Sequence, residues 1–145
     1  MRKASNIPLK IRICLTIVWI MVIFSFSMQS GVESSELSGG IVDWIIELVF
    51  DGEFSYVIEL GFLIRKLAHF TEYLVLGVVV IQTVKQTNCS EPVFISVIVS
   101  MLVCVCVASC DEAIQLFSEG RSGQVVDVVL DGCGALCGVT WCLQN

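Results

Sequence analysis

The chain's single histidine, His69, precedes Glu72 by three residues. On a helix that spacing places the imidazole and the carboxylate on one face. Imidazole changes charge near neutral pH, so such a pair can serve as general acid or base. A second polar group lies in "CDEAIQLFSEGRSGQVVDVVLDG", residues 110–132. It supplies Asp111, Glu112 and Gln115, then Arg121, Asp127 and Asp131. His69, Glu72, Asp111 and Glu112 are the candidates for catalysis, with Glu72 or Asp111 as the base. His69, Glu72, Glu112, Gln115, Arg121, Asp127 and Asp131 are the candidates for binding a ligand. Arg121 suits phosphate, because its planar fork bonds two oxygens at once. No resident cofactor is expected. The alternative is a divalent cation such as Mg²⁺ or Mn²⁺ held by His69 with Glu72 and Glu112. No serine or cysteine stands in a recognised nucleophile motif.

The elements that carry these groups are strongly apolar. Of 145 residues, 56 % are hydrophobic and 15 % charged, whereas a soluble domain is nearer half and a quarter. The apolar residues gather into runs long enough to cross a bilayer core. Four spans are predicted, at about 11–28, 66–84, 93–117 and 125–143. The first has a basic flank and is expected to remain as an uncleaved helix, since no small-residue cleavage site comes after it. The glycine-rich stretch "QSGVESSELSGG" reads as loop, with Ser35 or Ser38 as a cap for the next helix. Ile41, Trp44, Ile45 and Leu48 then recur at helical spacing, with Asp43 and Glu47 on another face. That segment is too short to span and is expected at the membrane surface. "DGE" at 51–53 breaks it, and Phe54 to Ile64 begins a further helical stretch. Pro92 suits a helix start. The fold class expected is an all-α integral membrane bundle of about four spans, with amphipathic helix between the first and second, as one domain over 1–145.

Arg2, Lys3, Lys10 and Arg12 make the N-terminus basic, whereas the seven acids from Glu33 to Glu59 have no base among them. The positive-inside rule then places the N-terminus and C-terminus in the cytoplasm. His69, Glu72, Asp111, Glu112, Gln115, Arg121, Asp127 and Asp131 fall at one depth, towards the outer leaflet. Ionisable groups in spans usually face a bundle interior or a water-filled cavity, so a polar cleft opening outwards is expected. Gln124, Asp127, Asp131, Gly134 and Gly138 form one stripe. Gly134 and Gly138 make a GxxxG, a close-packing signal, read first as packing within the chain and alternatively as a homodimer contact. Arg65 and Lys66 read as snorkelling residues at the interface. The eight cysteines show neither a secreted disulfide pattern nor paired zinc spacing, and read as packing thiols. No basic patch suits nucleic acid.

Three stretches resemble the VanZ-like family of bacterial membrane proteins. "FSMQSGVESSELSGGIV" (26–42) is similar to the family's serine-rich segment after the first helix. "RKLAHFTEYLVLG" (65–77) is similar to its K-x-x-H-F-x-E-Y-x-x-L-G motif, matched by Lys66, His69, Phe70, Glu72, Tyr73 and Gly77. "DEAIQLFSEGRSGQVVDVVLDGCGALCG" (111–138) is similar to its D-E-x-x-Q-x-F-x-x-G-R-x-x-x-x-x-D motif. Asp111, Glu112, Gln115, Phe117, Gly120, Arg121 and Asp127 match it, and the small residues Gly132, Gly134 and Gly138 come after it. Where that small-residue pattern often has Asn or Asp before its first glycine, this chain has Asp131. The family name implies a link to resistance against teicoplanin, a glycopeptide that targets the envelope; it implies no settled reaction.

Three functions compete. The first is a non-enzymatic envelope protein of the bacterial cytoplasmic membrane. Its cleft binds the head group of a membrane lipid or lipid-linked envelope precursor, or excludes an amphipathic lipoglycopeptide. The second is an intramembrane hydrolase or transferase acting on a lipid-linked phosphate or sugar. The third is a lipid transporter or flippase. Four helices without a repeat are little material for alternating access in a monomer, so a dimer through Gly134 and Gly138 would be needed.

Overall fold

A computed structural model describes residues 7–50, 57–87 and 92–144. The expected break at 51–53, Cys89, and the basic residues Arg2 and Lys3 lie outside the described residues. Among the described residues, five α-helices succeed one another: α1 (Leu9–Ser27), α2 (Gly31–Phe50), α3 (Val57–Thr87), α4 (Val93–Gln115) and α5 (Val125–Gln144). There is no strand among the described residues. Among the described residues, four helices are long and apolar enough to cross a membrane: α1, α3 from Leu60 onwards, α4 and α5. Their bounds track the hydropathy, because in lipid a backbone can satisfy its own polar groups only as helix or closed barrel.

Helix α3 is the hub and packs against each of the other four. Hydrogen bonds set the register of α1 against it. Trp19 Nε1 donates to the Glu72 carbonyl at 2.9 Å, and Arg12 Nη1 donates to Gln82 Oε1 at 2.7 Å. Residue numbers rise on one helix as they fall on the other, so the pair is antiparallel. Helices α3 and α5 instead run parallel and very close. A Cβ on Gly134 would meet the Phe70 backbone, and one on Gly138 the Leu74 backbone. On α3, Gly77 offers the reciprocal gap to Ala135. The GxxxG stripe thus packs inside the chain, where small residues let two backbones approach. Between the helices, Ile23, Tyr73, Leu76, Val80, Cys104, Ala108 and Ala135 form the buried core. Outward residues such as Ile13, Ile17 and Met21 on α1 are exposed, the apolar surface of a helix that meets lipid.

Two local expectations change. The stretch 29–40 is helix from Gly31 onwards rather than loop. Its cause is a capping box: the Ser30 backbone N–H and hydroxyl both donate to Glu33 Oε2, at 2.8 and 3.0 Å. The Glu33 N–H donates back to Ser30 Oγ at 3.2 Å. These bonds hold the exposed Glu33 carboxyl below its ordinary value of 4.5. The cap is therefore Ser30, while Ser38 lies buried within α2 and donates to the Ser35 carbonyl. The second change concerns rotation. Ser38, Val42 and Ile46 form the buried face of α2, whereas Ile41, Trp44 and Leu48 are exposed. The apolar stripe read from the sequence therefore turns Trp44 and Leu48 away from the bundle, as in a helix resting on a membrane surface, while Ile41 at its start borders a cavity against α3.

Candidate functional site

The polar end of the bundle brings the C-termini of α1 and α4 beside the N-terminal turns of the apolar spans of α3 and α5. Short helix–loop–helix geometry imposes this, and one residue makes the α4–α5 turn tight. Gly120 adopts φ +75°, which side chains other than glycine's rarely tolerate. Its neighbour Glu119 accepts the Gly31 N–H at 2.8 Å, tying the turn to the start of α2.

Beneath that turn, Glu112 has a structural task. Its Oε2 accepts the Gln124 N–H at 2.7 Å and its Oε1 accepts Gln115 Nε2 at 3.2 Å. A buried carboxylate at the start of α5 satisfies orphan helix donors and complements the helix dipole. Asp127, in the first turn of α5, pairs with Lys66 of α3. Lys66, expected from the sequence to be a snorkelling residue, is thus an ion-pair partner, and its ammonium also lies over the Phe62 ring, 5.1 Å from the centroid. Arg121 donates from Nη1 to the Phe26 carbonyl at 3.0 Å, so one end of its guanidinium is committed to α1. Arg65, which lines the same cavity, reaches Ser35 Oγ at 3.5 Å.

Deeper, three helices place His69, Asp111 and Asp131 together. His69 Nδ1 is 4.0 Å from Asp111 Oδ2 and 3.9 Å from Asp131 Oδ1, too far for hydrogen bonds. Asp111 is fully buried. Ser27 donates to its Oδ1, and Gln115 Nε2 lies 3.4 Å from its Oδ2. Asp131 is also fully buried, yet neither of its oxygens has a hydrogen-bond partner among the described residues. His69 Nδ1 and the Tyr73 hydroxyl share that condition. Ser27, Lys66 and Tyr73 therefore belong to the site, although sequence reasoning did not single them out as site residues. Lys66 and Tyr73 stand in the 65–77 motif beside His69 and Glu72, which was the available signal. Ser27 stands in the serine-rich stretch 26–42, a weaker signal because that stretch holds several serines.

Two cavities meet over His69. One, of about 170 Å³, lies between α2 and α3 and has Arg65, His69, Glu72 and Arg121 beside Phe26, Leu37, Ile41 and Ile64. The other, of about 200 Å³, is lined by Lys66, Gln115, Gln124 and Asp127. Arg65, His69 and Arg121 are walls of both. The structure thus brings His69, Glu72, Gln115, Arg121 and Asp127 to a common cleft, with Asp111 and Asp131 buried against His69. It turns Glu112 to the α4–α5 turn. The alternative cation set of His69, Glu72 and Glu112 is not the grouping formed; the acids that approach His69 are Asp111 and Asp131.

Four apolar helices around a buried polar cleft define a multi-pass helical membrane protein. The family model described as VanZ/LLP1 matches residues 12–143, nearly the whole chain. The chain belongs to this family. The comparisons with curated proteins and with solved structures find no match.

Proposed function

We propose that this VanZ-family protein binds a phosphate-bearing lipid head group in a cleft that faces outwards from a bacterial cytoplasmic membrane. The observation that carries the reading is the amphiphilic lining of the cavity between α2 and α3. It combines Arg65 and Arg121 with Phe26, Leu37, Ile41 and Ile64. Guanidinium groups match phosphate oxygens in charge and geometry, and the apolar wall suits the first methylenes of a lipid chain. A volume of about 170 Å³ is far more than one water needs. The membrane's own phospholipids and lipid-linked envelope precursors share this chemistry. Occupying or hiding such head groups is a route to altered susceptibility to teicoplanin-type glycopeptides.

The test uses a host in which deletion changes that susceptibility. His69→Ala, Glu72→Gln, Arg121→Ala and Asp127→Asn are introduced singly, with membrane levels checked by immunoblot. Altered susceptibility at normal levels is expected for Arg121→Ala and Asp127→Asn at least. Wild-type susceptibility in all four would overturn the reading.

A second reading, an intramembrane hydrolase or transferase, draws support from one feature. His69 stands in the same cleft as the arginines and against two buried carboxylates. On this reading Glu72 or Asp111 is the base, His69 moves a proton, and Arg121 holds the phosphate. Release of phosphate or a lipid alcohol from lipid-phosphate substrates by purified protein separates this from binding alone.

A further inference from the structure

The trio beneath the cleft points to chemistry that does not depend on a head group above it. His69, Asp111 and Asp131 come from α3, α4 and α5, and each offers one ligand atom within 4.8 Å of the other two. Both aspartates are fully buried at the end of an apolar bundle. A buried charge without a partner is strongly destabilising, and Asp131 has no hydrogen bond to either oxygen among the described residues. Of the cations lining the cleft, Lys66 is committed to Asp127, Arg121 Nη1 donates to the Phe26 carbonyl, and Arg65 Nη1 reaches Ser35 Oγ. Like the Asp131 oxygens, His69 Nδ1 and the Tyr73 hydroxyl are buried without a hydrogen-bond partner among the described residues.

We infer that His69, Asp111 and Asp131 form a binding site for a single divalent transition-metal ion of the Zn²⁺ or Mn²⁺ kind. Two carboxylates match the ion's charge, and the imidazole nitrogen supplies a borderline ligand that such ions take readily. Ca²⁺ is disfavoured because it seeks six to eight oxygens, and Mg²⁺ because it takes oxygen ligands and sheds water reluctantly. Ligands about 2.1 Å from a tetrahedral ion lie ~3.4 Å apart. The 3.9 and 4.0 Å separations close to that value with small side-chain movements. A metal site also needs its ligands held in orientation by neighbouring groups, and at Asp111 Ser27 and Gln115 do this. Entry is provided too, because His69 lines both cavities.

The test is metal binding by the full chain in nanodiscs, stripped with chelator and then titrated with ZnCl₂ or MnCl₂. Metal retained after desalting is counted by mass spectrometry, and the thermal transition is monitored in parallel. One ion per chain and a raised transition are expected for wild type and for Glu33→Gln. Asp131→Asn and His69→Gln should bind at least tenfold more weakly. Retention of neither ion by wild type, with no shift in its transition, would overturn the site. So would equal binding by folded Asp131→Asn and His69→Gln. The wild-type titration decides by itself should either variant fail to fold.

Discussion

At the residue scale, the Lys66–Asp127 ion pair joins α3 to α5 at the cleft. Its side chains are 23 % and 12 % exposed, so water screens the pair only in part. Removing Lys66 leaves Asp127 unpaired and partly buried. We expect Lys66→Ala to lower stability by about 1–3 kcal/mol, less than for a fully buried pair. Lys66→Ala/Asp127→Ala should recover much of that loss. Unfolding of the four members of this double-mutant cycle measures the coupling. A coupling near zero would mean that the pair only decorates the rim. The pairing could not be read from the chain alone. Lys66 and Asp127 are 61 residues apart, and helical spacing fixes the depth and face of each without fixing how two helices are rotated against one another. The same gap hid Ser27 from Asp111 and misassigned the carboxylates that approach His69.

At the element scale, two predictions concern why helices begin and where they touch. The Ser30–Glu33 box starts α2. Because the folded-state pKa of Glu33 is depressed by its bonds to Ser30, the stabilisation is complete above the ordinary value of 4.5. It is lost as pH falls through the lower folded value. Hydrogen exchange at the first turn of α2 should therefore gain protection as pH rises through this window, beyond the intrinsic pH dependence of exchange, and Glu33→Gln should remove that gain. An unchanged protection profile in Glu33→Gln would contradict the box. The motif Ser-x-x-Glu was present in the sequence at 30–33, but glycine and serine around it read more strongly as loop. The glycine stripe on α5 was more legible, since its spacing alone signals close packing. There the structure adds discrimination. A Cβ at Gly138 would strike the Leu74 backbone, whereas one at Gly132 meets nothing within 4 Å. Gly138→Ala should cost about 1–3 kcal/mol through overpacking. Gly132→Ala should be neutral or stabilise by about 0.5–1 kcal/mol, as alanine does in a helix interior. Comparable destabilisation by both, measured by thermal or denaturant unfolding, would contradict the α3–α5 packing.

At the scale of the whole molecule, the four apolar runs translate into four helices fit to cross a membrane, because length and hydropathy are enough to decide that. The polar residues at one depth were equally legible, since strict alternation of spans carries His69, Asp111, Arg121 and Asp127 to the same end. The division of labour among them was not. Glu112 braces a turn, Arg121 bonds α1, and Asp131 is left without a hydrogen bond among the described residues, each a consequence of tertiary packing. The orientation expected from the basic N-terminus can be checked in a cysteine-free background. Cysteines placed at Glu36 and Ser122 should react with an impermeant maleimide in intact cells, whereas one at Gln144 should react only after permeabilisation. The reverse pattern would turn the cleft towards the cytoplasm.

The most direct measurement is mass spectrometry of the lipids that co-purify with the protein in nanodiscs, comparing wild type with Arg121→Ala, Arg121→Lys and Arg65→Ala. Wild type should retain a phosphate-bearing lipid. Arg121→Ala and Arg65→Ala should lose most of it while still folded, and Arg121→Lys should retain an intermediate amount. Equal lipid retention by wild type and all three folded variants, or none by wild type itself, would contradict a head-group site.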